Sequence, residues 1–159
     1  MMEYPIRVLH AVVNMNRGGA ETLIMNIYRN IDRSKVQFDF LVHKREKGDF
    51  EDEITDLGGK IYRIPYVTEA GHFGYVKALN EFFKKYQEYK VVHAHMDCMS
   101  GLVLRAAKKA GVPARISHSH NTQSEGNFPA RLYKSYAGRK ILKNATYLAA
   151  CSTAAAAWL

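Results

Sequence analysis

Four of the seven histidines in the chain form two pairs, and the members of each pair are separated by one residue. His93 and His95 end one strand-like segment, and His118 and His120 end another. Imidazole transfers protons and hydrogen-bonds polar substrates near neutral pH, and it is also the commonest metal ligand. Residues two apart in a β-strand project from the same face. The pairs therefore predict polar chemistry at the ends of two strands.

A glycine-rich turn offers a second kind of chemistry. Gly18 and Gly19 follow the first apolar run and precede a helical pattern. Glycines let a backbone approach a ligand closely, and the first N–H groups of a helix bind phosphate well. The turn matches neither G-x-G-x-x-G nor G-x-x-x-x-G-K-[ST], so ordinary dinucleotide or P-loop binding is not indicated. A tight strand-to-helix turn without a ligand is the alternative interpretation.

The elements that must position these residues alternate along the whole chain. Strands are predicted at 6–13, 37–43, 60–65, 91–95, 114–120 and 146–151. Helices are predicted at 20–31, 49–57, about 76–86, 99–110 and 129–143, and after the N-cap Ser152 at 153–159. Strict alternation predicts a parallel sheet with right-handed crossovers and helices on both faces. The fold class is therefore a Rossmann-like, doubly wound α/β fold of three layers, with strand order 3-2-1-4-5-6.

This strand order also predicts where a ligand binds. In doubly wound sheets the ligand crevice lies outside the carboxyl ends of the strands, where the strand order reverses. That point lies between the first and fourth strands. The turn at Gly18 and Gly19 and both histidine pairs follow strands that end at this edge, so we expect them to face one another.

Composition sets limits on the class of protein. A chain of 159 residues and 18.1 kDa, with 47% hydrophobic and 24% charged residues, is typical of one soluble globular domain. No apolar run approaches the roughly 20 residues that span a bilayer, so a cytoplasmic location is expected. Cys98 and Cys151 lack ligand-like spacing and are expected to be free, mostly buried thiols.

Positive charge is concentrated in the second part of the chain. The net charge is +8, and from residue 101 onward nine basic residues stand against one acidic residue, Glu125. A local positive field predicts an anionic partner. A basic amphipathic helix can lie on an anionic membrane, although solvated cations near a helix end are the commoner explanation. The candidate membrane face consists of Arg131, Lys134, Arg139, Lys140 and Lys143.

The chain carries, in this order, motifs at 7–10, 17–21, 91–95, 111–113 and 115–122, and then the closing Cys151, Ser152, Trp158 and Leu159. Together they resemble the family-four glycosyltransferases of the GT-B fold, especially those of exopolysaccharide and capsule synthesis. The resemblance covers the whole chain. One departure is Lys90, where the family often has an acid before the fourth strand.

The resemblance implies a function for the amino-terminal, acceptor-side domain of such an enzyme. It implies sugar transfer with retention from a nucleoside diphosphate sugar to a saccharide or lipid-linked acceptor, without a metal and without a nucleic-acid partner. His120 is implied to hydrogen-bond the transferred sugar, and Gly18 and Gly19 to reach the donor diphosphate. The implied acceptor crevice contains Arg17, His93, His95, His118 and Asn121.

The resemblance also implies that a second domain is missing. The carboxyl-terminal half of the family carries paired glutamates that hold the nucleotide and stabilise the developing charge. Electrostatic stabilisation usually contributes more to catalysis than any other effect, so these 159 residues are expected to be inactive alone. The location implied is cytoplasmic, with possible peripheral attachment at the inner face of the membrane.

Two other classes of function stay open from the residues alone. The histidine pairs, with Asp97 as an additional carboxylate, are compatible with a metal-dependent hydrolase. The glycine turn and the basic region are also compatible with a non-catalytic module that binds nucleotides or other anions.

Overall fold

The computed structural model describes residues 4–121 and 126–157, and these form one parallel sheet of six strands. The strand order is β3-β2-β1-β4-β5-β6, which confirms the predicted doubly wound topology. Every neighbouring pair of strands is parallel. The strands are β1 (Ile6–Ala11), β2 (Val36–Val42), β3 (Ile61–Arg63), β4 (Val91–Ala94), β5 (Ala114–Ser119) and β6 (Tyr147–Ala150).

Helices connect the strands, as the alternating pattern predicts. They are α1 (Gly19–Asn30), α2 (Glu51–Asp56), α3 (Val67–Lys85), α4 (Ser100–Lys109), α5 (Phe128–Gly138), α6 (Ile141–Asn144) and α7 (Thr153–Ala156), with a 3₁₀ turn at Asp97–Met99 before α4. The predicted N-cap is present, because the Ser152 hydroxyl accepts the Ala155 N–H at 3.1 Å. The predicted end of this helix, at Trp158 and Leu159, lies outside the described residues.

The prediction of one continuous helix at 129–143 is wrong. The Lys140 N–H donates to the Ala137 carbonyl, three residues back, so the turn tightens and α5 ends at Gly138. A short helix, α6, begins again at Ile141. Glycine is a poor helix former, which favours a break at this point. The predicted basic face is therefore divided between two helices.

The sheet separates two apolar cores. Leu9 and Ala11 of β1 belong to the core that includes residues of α3 and α4, whereas Val12 belongs to the core that includes residues of α1 and α2. His10 points to the second side and contacts the rings of Phe38 and Phe40. Alternate residues of one strand thus enter different layers, as the strand period requires.

Candidate functional site

A cleft of about 530 Å³ opens at the carboxyl edge of the sheet, beside the point where the strand order reverses between β1 and β4. Four of the predicted site residues line it: Gly19, His95, His120 and Asn121. Four others, Arg17, Gly18, His93 and His118, do not. The remaining lining residues are Val13, Ala20, Glu21, Leu23, Asp97 and Cys151.

The glycine turn presents the first turn of α1 to this cleft. Helix α1 begins at Gly19, and within the described residues no side chain caps it. A Cβ atom at Gly19 would meet nothing within 4 Å, so a ligand can approach its backbone. Gly18 has a φ of −109°, which any residue adopts, but a Cβ there would collide with the carboxylate of Glu21. Gly18 therefore makes room for an acid at the mouth of the cleft.

Arg17 does not line the cleft. It is exposed, and its backbone N–H donates to the carboxylate of Asp49 at 3.2 Å. Asp49 in turn precedes α2. The predicted contact of Arg17 with an acceptor stays a prediction.

Five histidines, not four, share one face of the sheet. His10 in β1 lies beside His93 in the parallel register, and its Nδ1 is 3.0 Å from Nε2 of His95. Nδ1 of His95 is 2.9 Å from Nε2 of His120. A separate pair lies below the cleft, where Nε2 of His93 is 3.1 Å from Nδ1 of His118. The two predicted H-x-H pairs are thus joined across the strands.

His10 was missed as a site residue from the sequence. It lies inside the predicted first strand, where an isolated histidine is unremarkable. A signal was nevertheless available, because strand order 3-2-1-4-5-6 places the first strand beside the fourth. A histidine near the carboxyl end of β1 then lies next to His93 and His95 on β4.

Burial keeps these five imidazoles neutral at pH 7. It lowers the pKa of His93 to about 4, and it places the pKa values of His10 and His95 well below the ordinary value. The pKa values of His118 and His120 are also lowered, mainly by burial. A neutral imidazole has one N–H donor and one bare acceptor nitrogen. Each ring of the cluster can therefore both donate and accept one hydrogen bond.

Asp97 follows His95 by two residues, and it also lines the cleft. Its φ is +45°, a left-handed conformation that is costly for most side chains but accessible to aspartate. Its Oδ2 accepts the Asn121 side-chain N–H at 2.6 Å. Its Oδ1 is buried and has no hydrogen-bond partner among the described residues. This oxygen is closed to solvent, so the Asp97 side chain has to turn before a ligand in the cleft can reach it.

The two cysteines differ in exposure. Cys98 is half-buried, whereas Cys151 is exposed and lines the cleft. The expectation that both thiols are mostly buried is therefore wrong for Cys151. It follows β6, whose first two residues are also exposed, so this edge of the sheet offers less cover than the centre.

Two sets of three histidines have spacings compatible with a metal ion. They share His95 and comprise His10, His93 and His95, and His95, His118 and His120, with ligand atoms within 4.8 Å of one another. Both nitrogens of His95 already lie at hydrogen-bond distance from another imidazole. Within residues 4–121 and 126–157, none of the five rings bonds a carboxylate, the partner that metal-binding histidines commonly have.

The predicted membrane face combines cations with exposed apolar side chains. Arg131, Arg139 and Lys143 are exposed, and Lys134 and Lys140 are half-buried. The Lys140 ammonium lies 4.2 Å from the centre of the Tyr136 ring. Phe128, Leu132 and Tyr136 follow one another at four-residue spacing along α5, with 79%, 64% and 42% of their surface exposed. No helix within the described ranges is long and apolar enough to cross a membrane.

Comparison with known proteins supplies the family. Residues 18–159 match the model of the glycosyl transferase 4-like domain. EpsF of Bacillus subtilis (strain 168), named as a glycosyltransferase, is 42% identical over 155 residues, which are 96% of this chain and 40% of EpsF. The capsular polysaccharide biosynthesis glycosyltransferase CapH of Staphylococcus aureus is 29% identical over 138 residues, which are 87% of this chain and 37% of CapH.

Similarity to solved structures is weaker. A glucose dehydrogenase from Haloferax mediterranei aligns with 92% of this chain and 36% of its own, with a TM-score of 0.47 and 9% sequence identity. At that level neither fold nor function is inferred from it. The chain spans about 40% of the length of the curated relatives that it matches.

Proposed function

The chain belongs to the glycosyl transferase 4-like family, and from this premise we propose that it forms the acceptor-side half of a retaining glycosyltransferase. The reaction is transfer of a sugar from a nucleoside diphosphate sugar to a saccharide or lipid-linked acceptor in surface polysaccharide synthesis. One observation carries the proposal: the uncapped first turn of α1 faces His95 and His120 across a cleft at the switch point of the sheet.

The residues that line the cleft suit both the diphosphate and the sugar of such a donor. The N–H groups at the start of α1 favour a diphosphate, because they lack internal partners and lie at the positive end of the helix dipole. His120 offers a ring nitrogen to the transferred sugar from the opposite wall. The Asp97 carboxylate, which lines the cleft, supplies an acceptor for a hydroxyl group of the incoming saccharide. Glu21 lies beside the diphosphate position and must turn away when the anion binds.

A second domain is part of this proposal. The relatives are more than twice as long as the matched segment, and a diphosphate leaving group needs preorganised positive charge or donors around it. The described cleft supplies the α1 N-terminus on one side only. We therefore assign the remaining nucleotide-binding groups to a part of the parent protein outside these 159 residues.

The 159-residue chain alone is expected to show no sugar transfer. We would incubate it with nucleoside diphosphate sugars and lipid-linked acceptors and follow release of the nucleoside diphosphate and labelling of the acceptor. Background hydrolysis, equal to that of a sample without protein, is the expected result. Sustained transfer by the chain would overturn the assignment of essential groups to another domain.

The proposed reaction uses no resident metal. Each nitrogen of His95 lies 2.9–3.0 Å from another ring nitrogen, at hydrogen-bond distance. A tetrahedral zinc ion with bonds of about 2.0–2.1 Å holds its nitrogens about 3.3 Å apart and removes the shared protons. The metal-dependent hydrolase therefore needs a rearranged cluster, whereas hydrogen bonding accounts for the cluster as it stands.

The location that we propose is the cytoplasm, with peripheral attachment to an anionic membrane surface. The basic surface on α5 and α6 provides the positive charge, and Phe128, Leu132 and Tyr136 provide apolar contact beside it. This combination is that of an interfacial helix, which buries an apolar face and attracts anionic headgroups. A lipid-linked acceptor would then be presented near the edge of the sheet that carries the cleft.

Removing Arg131 and Arg139 is expected to weaken binding to anionic vesicles. The R131Q/R139Q double variant loses two surface charges, at about 1 kcal/mol each, so partitioning should fall about 30-fold. Co-sedimentation with phosphatidylcholine vesicles, with and without phosphatidylserine, measures the effect. The matched control is K84Q/K85Q, which removes the same charge from the exposed end of α3. Equal losses in the two double variants would refute this membrane face.

A further inference from the structure

Three of the histidines form a chain that runs from the core to the cleft. His10 contacts His95, and His95 contacts His120, at 3.0 and 2.9 Å between ring nitrogens. His10 is almost fully buried, at 3% exposure, whereas His120 lines the cleft. At the inner end, Nε2 of His10 is buried and has no hydrogen-bond partner in the described part of the chain.

The protons on these three neutral histidines can be arranged in two ways that satisfy both ring-to-ring hydrogen bonds. In the outward arrangement, Nδ1 of His10 donates to Nε2 of His95, and Nδ1 of His95 donates to Nε2 of His120. The remaining N–H of His120 is then on Nδ1, the nitrogen that His95 does not contact. In the inward arrangement every proton is on Nε2, and Nδ1 of His120 is a bare acceptor.

The inner end of the chain favours the outward arrangement. The inward arrangement places an N–H on Nε2 of His10, where no described residue accepts it. The outward arrangement leaves Nε2 of His10 as an acceptor without a donor. Buried donors without acceptors are rarer in proteins than under-satisfied acceptors, and an unmet donor bears its full desolvation cost.

The cleft end favours the same arrangement. The carboxylates of Asp97 and Glu21 line the cleft with His120, and their charges act on its imidazole to favour a proton. A chain of aligned N–H groups with its positive end at the cleft is stabilised by these acids. Both ends of the chain therefore select the same tautomer of His120.

We propose that His10 and His95 are positioning residues that hold His120 in its Nδ1–H tautomer, so that His120 presents a hydrogen-bond donor to the cleft. The identity of the oxygen that receives this bond, on the transferred sugar, rests on the proposed function. As a donor, His120 stabilises an oxygen and does not remove a proton from a hydroxyl. Proton removal then falls to another acceptor.

The tautomers can be read directly in the ligand-free chain. Long-range ¹H–¹⁵N spectra of the ¹⁵N-labelled protein at pH 7.5 distinguish protonated from bare imidazole nitrogens. We expect protonated Nδ1 and bare Nε2 in all three rings, the tautomer that free histidine populates less. A proton on Nε2 of His120 would overturn the proposal. So would stoichiometric zinc in the same sample by elemental analysis, since a metal on these nitrogens replaces the hydrogen bonds.

A variant that reverses the direction of the hydrogen bonds at His95 and His120 gives a second test. His10→Asp places an obligate acceptor at the inner end, so His95 and His120 should both move their protons to Nε2. The matched control is His93→Gln, on the same sheet face but bonded to His118 outside the chain, which should leave the His120 tautomer unchanged. An unchanged His120 in folded His10→Asp contradicts the positioning role. If His10→Asp does not fold, the wild-type spectrum decides alone.

The two proposals fail separately. The spectra need no ligand, so a chain that does not bind nucleotide sugar can still show the Nδ1–H tautomer. Conversely, a nucleotide sugar can bind in the cleft while His120 carries its proton on Nε2. In the first case the proposed function fails, and in the second the proton arrangement fails.

Discussion

Replacing Asp39 with alanine is expected to lower the free energy of unfolding by about 3–5 kcal/mol, the usual cost of removing one partner of a buried ion pair. The carboxylate is fully buried and accepts two hydrogen bonds from Arg7, at 2.5 and 2.6 Å. It also accepts the Tyr89 hydroxyl and the Lys60 N–H, each at 2.7 Å. In the variant the Lys60 N–H loses its acceptor, and Arg7 and Tyr89 keep only longer contacts, to the Gly58 carbonyl at 3.3 Å and the Tyr62 hydroxyl at 3.2 Å. Urea unfolding followed by circular dichroism measures the loss.

The matched control is the ion pair between Arg29 and Glu53. It is also bidentate, with two hydrogen bonds of 2.6 and 2.8 Å, but both side chains are more than one-third exposed. Exposed pairs contribute about 0–1 kcal/mol, so Glu53→Ala should cost far less than Asp39→Ala. Similar losses in the two variants would show that Asp39 does not join β1, β2 and the approach to β3 as described.

Acidification from pH 6.5 to 4 is expected to destabilise the fold, with His43 alone contributing about 3 kcal/mol. This imidazole is 2% exposed, and burial lowers its pKa to about 4 in spite of a hydrogen bond to the Val12 carbonyl. Between the two pKa values the unfolded chain binds a proton that the folded chain excludes. Stability from this residue is therefore complete above pH 6.5 and is lost as the pH falls toward 4.

Urea unfolding at a series of pH values measures this loss. The His43→Gln variant should be less stable at pH 7, because it disturbs the bonds to Val12 and Tyr75, but should depend less on pH. Between pH 6.5 and 4, the change in its free energy of unfolding with pH should be smaller than that of the wild type by up to about 1.4 kcal/mol per pH unit, the value for one proton. A wild-type stability that is constant across this window would contradict the burial of neutral histidines.

The fold was predictable because strand and helix patterns alternate with few interruptions. The divided helix at the end of α5 was not. Ala137 and Ile141 are both buried and four residues apart, so the apolar spacing continues across the break and gives no sign of it. The interruption depends on the hydrogen bond from Lys140 to Ala137, which is a feature of the folded backbone.

The strand order predicted where the site lies, but it did not predict which residues line it. Period two places His93 and His95 on one face, yet it does not say that His93 lies below the cleft and bonds His118. Glu21 lies in the first turn of α1 and Asp97 has a positive φ, and no spacing in the sequence shows that both line the cleft. His10 depended on combining strand order with register. The roles of the predicted site residues stay predictions.

Titration of the ¹⁵N-labelled chain with UDP-glucose, followed by backbone amide shifts, tests the central claim most directly. The claim predicts weak, saturable binding, with a Kd on the order of 1 mM. The largest shifts should occur at the cleft amides of Gly19, Ala20 and Asn121. His120→Ala should weaken the response, whereas His72→Ala, a histidine of α3 outside the cleft, should not. Shifts that centre elsewhere, or that are equal with glucose alone, would contradict the assignment of this cleft to a nucleotide sugar.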